Sequence, residues 1–404
     1  MHSLSRKLAD DPAVAAGSEK VPKSNWKTSR ERRDLHANNH FLRLGNFELI
    51  HTGTIYLMMA RIVIYTAVML ASLSVLIAAD PSGTRIPAEA EQSQASVRRA
   101  IQNAIPHLQQ GAVVSAKERK CFTCHNQALP VIALVEVSRR GFKIDEEILQ
   151  RQLQHTWDHL HRGKSGYLAG KGQGGQVMTA GYALWTLERG AWKADETTTA
   201  VAHYLAEYQR EKNRWTASSQ RLPSSGSPFT ATYLALRGLS HFGTEEQQER
   251  FEVRRDAAAT WVLETEPSDT EGRVFQLRTL PYIDATQETI QKAVDELLSR
   301  QHADGGWSQT DAMSSDAYAT GTVLAALQEV GKLSRDNPAV KEACDYLVSS
   351  QLPDGTWHVV THAKPIQDYY ESGFPHDEDQ FISITATSWA MLALAFTLPV
   401  TRDE

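Results

Sequence analysis

The sequence predicts an all-α protein built from repeated helical hairpins. From residue 95 onward, no segment shows the apolar–polar alternation of a half-buried strand, and apolar residues recur at intervals of three and four. Small apolar segments alternate with charged amphipathic ones, each pair joined by a short turn that contains Gly or Asp. This regular alternation is typical of a helix-pair repeat with variable loops.

Six apolar segments and six amphipathic segments follow one another along the chain. The apolar segments are Leu129–Val137, Ala180–Leu187, Thr230–Leu239, Arg273–Leu280, Ala319–Leu327 and Thr387–Leu394. The amphipathic segments are Ala95–Gln110, Asp145–His161, Asp195–Gln209, Glu245–Leu263, Gln287–Gln301 and Pro338–Gln351. We therefore expect about six hairpins in two concentric layers, with the apolar helices inside. A closed ring would explain why no polar capping repeat is visible, and an open solenoid is the alternative.

Two turns share the pattern Gln-x-x-Asp-Gly-x-Trp, at residues 301–307 and 351–357. Asp starts the turn, Gly supplies a positive φ, and Trp can pack back over the preceding helix end. These turns, together with the C-terminal stretches 373–375 and 387–394, resemble squalene–hopene cyclases and the related prenyltransferases. The resemblance extends over about residues 125–400, is strongest at 285–396, and implies an α/α toroid.

The resemblance also implies an apolar cavity whose aromatic walls hold an isoprenoid chain and stabilise carbocations. The aromatic residues on the predicted inner segments are Tyr182, Trp185, Tyr233, Phe275, Tyr318, Phe381 and Trp389. We expect Tyr182, Trp185, Tyr233, Tyr318 and Trp389 to line such a cavity. Alternatively, each aromatic side chain simply fills the core.

The catalytic signatures of both branches of this family are missing. The cyclases need an Asp-x-Asp-Asp motif to protonate an alkene, but the corresponding stretch here has a single acid, Asp316, which is better interpreted as a helix N-cap. The prenyltransferases bind zinc through Asp, Cys and His, whereas Cys344 and Asp345 stand on an outer helix in the wrong order. The acids at 377–379 are typical of a solvated helix start. The one candidate for a catalytic residue is therefore Asp316.

The first eighty residues are predicted to lie outside the toroid. Residues 62–79 are uncharged and mostly apolar, and Arg61 precedes them. We interpret 59–79 as a signal peptide or membrane anchor, 1–58 as a mis-assigned start or a disordered extension, 80–94 as a linker, and 95–400 as the toroid domain. The basic flank stays inside, so the remainder is expected to be exported, either periplasmic or anchored facing the periplasm.

Residues 121–125 read Cys-Phe-Thr-Cys-His, which is the attachment pattern of c-type haem. Cys121 and Cys124 would form the thioether bonds, and His125 would be an axial ligand of the iron. The predicted export favours this interpretation, because cytochrome c maturation takes place outside the cytoplasm. A disulfide, a zinc site without a second Cys pair, and a redox thiol pair are the alternatives.

The sixth iron ligand is not fixed by the sequence. Met178 follows a Gly-rich loop at the start of the next inner segment and is the first choice. The alternative is one of three histidines on one outer helix, namely His155, His159 and His161. A solvent-exposed polar face of that helix explains at least two of them equally well.

Composition excludes several classes of function. The 404-residue chain has a formal net charge of -6, so no basic surface indicates nucleic-acid binding. Three cysteines are too few for a disulfide scaffold. The preferred hypothesis is an exported toroid that binds an apolar ligand such as an isoprenoid and uses haem for redox chemistry or electron transfer with a redox partner. A divergent terpenoid cyclase or prenyl-modifying enzyme without haem, and a non-catalytic interaction scaffold, are the alternatives.

Overall fold

The structure is a computed structural model that describes residues 88–208, 211–218, 221–365 and 368–401. Thirteen α-helices and no β-strand lie in these ranges. The helices are α1 (Ala88–Glu118), α2 (Leu129–Arg139), α3 (Glu146–Arg162), α4 (Lys164–Leu168), α5 (Gln176–Arg189), α6 (Glu196–Glu207), α7 (Pro228–Phe242), α8 (Gln248–Glu264), α9 (Thr270–Thr279), α10 (Gln287–Leu298), α11 (Ala317–Glu329), α12 (Pro338–Ser350) and α13 (Gln380–Phe396).

The N-terminal predictions fall mostly outside the described residues. This applies to the extension at 1–58 and to the signal or anchor at 59–79. Helix α1 begins at Ala88, so residues 88–94, which we expected in the linker, belong to the first helix. Within the described residues, no helix combines the length and apolarity that crossing a membrane requires.

Six helices form a closed inner ring. Helices α2, α5, α7, α9, α11 and α13 pack against one another in this order, and α13 packs back against α2. Helices α1, α3, α6, α8, α10 and α12 lie outside them. The prediction of an all-α toroid of six hairpins is therefore confirmed, and the described part of the chain is a ring rather than an open solenoid.

Composition explains which helices lie inside. Every residue of α13 from Ile382 to Ala395 is buried, whereas α10 buries only Val294 and Leu297. A helix that is apolar on all sides must be covered on all sides, while an amphipathic helix needs one covered face. Small residues also allow close packing inside, since a Cβ atom at Gly321 of α11 would lie 2.7 Å from backbone atoms of α13.

The turn at 301–307 joins three parts of the ring. Trp307 is buried, and its indole N–H donates to the Leu297 carbonyl at 2.7 Å on the preceding outer helix. Its backbone N–H donates to the Thr320 hydroxyl on the following inner helix at 2.9 Å. The Gln301 side chain donates to the Ala339 carbonyl of the next outer helix, α12, at 2.9 Å. The turn therefore joins the hairpin before it to the hairpin after it.

The turn at 351–357 repeats these bonds and closes the ring. Trp357 donates from its indole to Leu347 O at 2.8 Å and from its backbone to Thr387 Oγ1 at 3.1 Å. Here the Gln351 side chain donates to the carbonyl of Ala100 in α1, at 2.8 Å. The last outer helix is thus joined to the first by the same bond that joins neighbours elsewhere.

Candidate functional site

The Cys-x-x-Cys-His segment lies in the connection from outer helix α1 to inner helix α2. Cys124–Ala128 forms a single π-helical turn, a geometry that often marks functional sites. Thr123 caps the turn, because its hydroxyl accepts from the Asn126 backbone N–H at 3.2 Å. The Thr123 backbone N–H in turn donates to the Gln127 side-chain oxygen at 2.8 Å. These bonds fix the positions of Cys124 and His125 at the start of α2.

Three consecutive side chains of this turn have buried polar atoms without a hydrogen-bond partner. They are Nε2 of His125, both amide atoms of Asn126, and Nε2 of Gln127. Buried polar side-chain atoms in folded proteins are usually paired, so a run of unpaired ones needs an explanation. Hydrogen bonds from Thr123 hold this turn in place, while polar side-chain atoms of His125, Asn126 and Gln127 are buried without partners. Such a turn is suited to binding another group.

His125 is the best-placed metal ligand of the turn. Its side chain is only 6% exposed, and its ring lies edge-on to Phe381 at a centroid distance of 4.9 Å. Burial, assisted by the nearby Arg221 guanidinium, lowers the pKa of His125 to about 3. The imidazole is therefore neutral at physiological pH, and neutral imidazole is the form that binds metals.

The two cysteines of the motif differ in their surroundings. Cys121 is exposed, Cys124 is half-buried, and neither is part of a disulfide. Burial raises the pKa of the Cys124 thiol, although Arg221 partly offsets this effect. Cys344 on α12 is buried, and burial raises the pKa of its thiol to about 12, which matches its interpretation as a small core residue. In the described part of the chain, no group of three or more His, Cys, Asp or Glu side chains is arranged to hold a metal ion.

The candidate sixth ligands occupy different places. Met178 is buried in the first turn of α5, a helix that packs against the π-helical turn. On α3, His155 Nε2 lies 3.4 Å from the Cys121 carbonyl oxygen, and the His159 ring lies 6.2 Å from that of Phe122. Burial lowers the pKa of His159 to about 4, and its Nε2 atom is buried without a partner.

His161, the third histidine of α3, packs elsewhere. Its ring stacks on Trp157 at 4.5 Å, and its Nδ1 atom lies 3.0 Å from the Thr197 hydroxyl. The structure therefore places His155 and His159 beside the cysteine motif but gives His161 a role in packing the outer layer.

A pocket of about 220 Å³ opens beside His125, at the end of the ring where the inner helices begin. We call it the mouth pocket. Its wall is formed by His125, Arg221, Leu222, Ser224, Thr361, Ala363, Lys364, Pro365, Tyr369, Glu378, Phe381 and Ile382. These residues come from the π-helical turn, from the loops before α7 and α13, and from the first turn of α13. The pocket is smaller than the roughly 300–1,000 Å³ of most small-molecule sites.

The aromatic residues expected to line a cavity pack against one another instead. Tyr182, Trp185, Tyr233, Tyr318 and Trp389 are all buried, and none of them forms the wall of the mouth pocket. The rings of Trp185 and Trp389 are 6.0 Å apart, and those of Trp185 and Tyr233 are 5.6 Å apart. The structure favours the alternative in which these side chains fill the core. Phe381 alone among the inner aromatic residues reaches the mouth pocket.

The predicted acidic candidates have structural roles. Asp316 is the N-cap of α11, and its carboxylate accepts from the Ala319 backbone N–H at 2.9 Å and from the Gln309 amide at 3.0 Å. Asp379 accepts from the His358 ring at 2.8 Å and from the Thr361 backbone N–H at 2.7 Å. Asp377 and Glu378 are exposed.

A buried carboxyl group that the sequence analysis did not identify lies inside the ring. Glu271, in the first turn of α9, is 4% exposed, and its two oxygens accept from the hydroxyls of Thr230 at 2.8 Å and Tyr318 at 3.0 Å. Burial raises the pKa of Glu271 to about 8, so it holds a proton at neutral pH. Glu271 stands two residues before the predicted inner segment Arg273–Leu280, so no sequence pattern marked it.

Comparison with known proteins supports the cyclase-like fold. Residues 238–403 match the squalene-hopene cyclase C-terminal domain family. Lanosterol synthase of Saccharomyces cerevisiae is 29% identical over 119 residues, which cover 28% of this chain and 15% of the synthase. Squalene–hopene cyclase of Bradyrhizobium diazoefficiens is 34% identical over 97 residues, 21% of this chain and 13% of the cyclase. The chain thus matches only about a seventh of the length of these curated relatives.

Among solved structures, a type II terpene cyclase from Scytonema in complex with merosterolic acid A matches with a TM-score of 0.51 and 14% identity. The match covers 76% of this chain and 99% of that one. A variant of the same cyclase in complex with geranylgeranyl dihydroxybenzoate gives the same score at 13% identity. The chain therefore has the fold of the type II terpene cyclases, and its C-terminal part is squalene-cyclase-like in sequence.

Proposed function

We propose that this protein is a toroid that binds an apolar isoprenoid ligand and has a covalently attached c-type haem at the rim where its inner helices begin. The observation that carries the haem proposal is His125, a buried neutral imidazole whose Nε2 atom has no partner. It lies next to Cys124 in sequence, forms part of the wall of the mouth pocket, and follows an exposed Cys121.

The residues present suit haem c. Cys121 and Cys124 would form the thioethers, and His125 would bind the iron through Nε2. A bound haem would supply one-electron redox chemistry. The chain's own part is to keep His125 neutral by burial and to fix the orientation of the turn through the hydrogen bonds of Thr123.

The isoprenoid part of the proposal rests on the fold and on the mouth pocket. The similar terpene cyclase from Scytonema was solved with a geranylgeranyl compound, and the curated relatives are named lanosterol synthase and squalene–hopene cyclase. In this chain the mouth pocket offers Leu222, Phe381 and Ile382 as apolar contacts.

The direct test is haem staining of the purified protein after denaturing electrophoresis. The protein is expressed with an export signal and with the machinery for cytochrome c maturation. We expect a stained band at the mass of the chain and a c-type α band in the reduced spectrum. Cys121→Ala combined with Cys124→Ala should remove both signals, whereas Cys344→Ala, the matched cysteine control, should keep them. An unstained wild-type band would refute the haem proposal.

We further propose that the chain is exported and either begins near Asp80 or keeps 59–79 as an anchor. The basic and then apolar pattern around Arg61 supports this proposal. N-terminal sequencing of the native protein tests it, because a start at or near Met1 in a protein found only inside the cell would contradict export.

Glu271 favours a second candidate function, acid-initiated isoprenoid cyclisation without haem. A protonated carboxyl inside the ring is a possible proton donor, although its raised pKa makes it a weak acid. Incubation with squalene, followed by mass analysis of extracted products, tests this candidate. Cyclic products that form with the wild type and disappear with Glu271→Gln would support it, and their absence would leave the binding function.

A further inference from the structure

Two cationic side chains in the mouth pocket have no acidic partner in the part of the chain that the structure describes. Arg221 precedes α7 and Lys364 precedes α13, so two separate loops bring them to the same pocket. Among the described residues, neither forms an ion pair within 4 Å. The Arg221 guanidinium instead lies over the Phe381 ring, 5.5 Å from its centroid. One acid, Glu378, also forms part of the wall.

The rest of the pocket wall is mixed. Leu222, Pro365, Phe381 and Ile382 are apolar, and the Ser224 and Thr361 side chains are uncharged. The pocket therefore has an excess of positive charge next to an apolar surface, which suits a molecule with an acidic group at one end.

We infer that Arg221 and Lys364 form a carboxylate-binding pair at the mouth of the ring. The inference rests on the proposed function, because it specifies which kind of molecule the mouth pocket holds. Two sources can supply the carboxylate. One is a propionate of the attached haem, and the other is the acidic headgroup of an isoprenoid ligand.

The first experiment measures binding of a matched pair of probes, farnesoic acid and the uncharged farnesol, by calorimetry. The haem-free full chain with Cys121→Ala and Cys124→Ala is compared with the haem-loaded protein. We expect the haem-free chain to bind the acid at least fivefold more tightly than the alcohol. Arg221→Gln or Lys364→Gln should weaken binding of the acid more than binding of farnesol and so remove this preference.

Two control variants sharpen this experiment. Glu378→Gln removes the negative charge from the same pocket, so it should increase the preference for the acid. Lys193→Gln removes an exposed cation from the turn after α5, at the opposite end of the ring, and should change nothing. A response to Glu378→Gln in the same direction as Arg221→Gln would contradict an electrostatic site.

The second experiment distinguishes the two sources. If an isoprenoid headgroup is the source, the haem-loaded protein also prefers the acid. If haem propionate is the source, the haem-loaded protein binds neither probe preferentially, and Arg221→Gln lowers its reduction potential, because a nearby cation stabilises the less positive ferrous state. Either result supports the inference that Arg221 and Lys364 bind a carboxylate.

Two outcomes would overturn the inference. If the acid and the alcohol bind equally in both forms, and Arg221→Gln changes neither binding nor potential, the carboxylate pair is refuted while the apolar site remains. If neither probe binds and the protein has no haem, the proposed function fails together with the inference.

Discussion

The Glu271 carboxyl shows how burial alone changes the chemistry of a residue. Its neighbours Thr230 and Tyr318 donate hydroxyl hydrogen bonds that favour the charged form, yet burial outweighs them and raises its pKa from 4.5 to about 8. In sequence, an acid in the first turn of a helix is explained by its favourable interaction with the helix dipole, so the sequence gives no reason to expect a raised pKa. The closed ring covers α9 with a neighbouring inner helix on each side, and this covering buries the Glu271 carboxyl.

This pKa shift predicts a pH-dependent stability. Between pH 4.5 and 8, the folded carboxyl keeps a proton that the unfolded one has released, so the free energy of unfolding falls as pH rises through this window. At pH 7 the free energy of unfolding is lower by about 3 kcal/mol than it would be if the folded carboxyl had its ordinary pKa. Glu271→Gln cannot ionise, so its stability should decline less between pH 5 and 8 than that of the wild type.

Denaturant unfolding at several pH values measures this difference. Glu288→Gln, which changes an exposed acid in the first turn of α10, is the matched control and should follow the wild type. Parallel pH profiles for the wild type and Glu271→Gln would show that the buried carboxyl ionises freely.

The cysteine motif illustrates what sequence can and cannot show at the residue scale. The spacing of Cys121, Cys124 and His125 predicts the chemistry of attachment, and the structure adds that His125 is buried and neutral. The π-helical turn could not be predicted, because it depends on the bonds from Thr123 to Gln127 and Asn126 rather than on a periodic pattern. The position of Arg221 beside the motif could not be predicted either, because only closure of the ring brings these distant parts of the sequence together.

At the scale of single elements, the turns at 301–307 and 351–357 could be predicted because each contains the whole Gln-x-x-Asp-Gly-x-Trp pattern. A third turn of the same kind was missed. Trp215 donates from its indole to Leu205 O at 2.9 Å and from its backbone to Thr232 Oγ1 at 3.2 Å, the same two bonds that Trp307 and Trp357 make. Gln209 stands at the position of Gln301 and Gln351 in the pattern, but Lys212 and Asn213 replace the Asp-Gly pair, so the incomplete pattern did not identify this turn.

These turns give a direct stability prediction. Trp307→Ala and Trp357→Ala should each lower the free energy of unfolding by about 3–5 kcal/mol, because each removes a fully buried ring and its hydrogen bond. Trp→Phe at either position keeps most of the packing and should cost clearly less. Thermal unfolding followed by circular dichroism measures both changes. Melting temperatures close to that of the wild type in the Ala variants would contradict the role of these turns in joining neighbouring hairpins.

At the scale of the whole molecule, closure of the ring gives the junction between the last hairpin and the first the same kind of Gln side-chain bond as the junction between α10 and α12. Periodicity predicted the hairpins but left the closed ring and the open solenoid as alternatives, because both have the same local pattern. The decisive contacts join residues far apart in sequence, such as α13 with α2 and Gln351 with Ala100.

A matched pair of variants tests this closure. Gln301→Ala removes the bonds to Gly305 O and Ala339 O between neighbouring hairpins, and Gln351→Ala removes the same two kinds of bond where the last hairpin meets the first. In a closed ring, we expect similar losses of about 1–3 kcal/mol from both. A negligible loss from Gln351→Ala alongside a clear loss from Gln301→Ala would indicate a junction that opens easily.

The proposed function depends on covalent attachment of a haem at Cys121 and Cys124. Its most direct test is the intact mass of the protein after export in cells that perform cytochrome c maturation. We predict the mass of the mature chain plus one haem, with the added mass lost in the Cys121→Ala, Cys124→Ala variant. Exported mature protein at the mass of the chain alone, with its two cysteines free or joined as a disulfide, would contradict the claim.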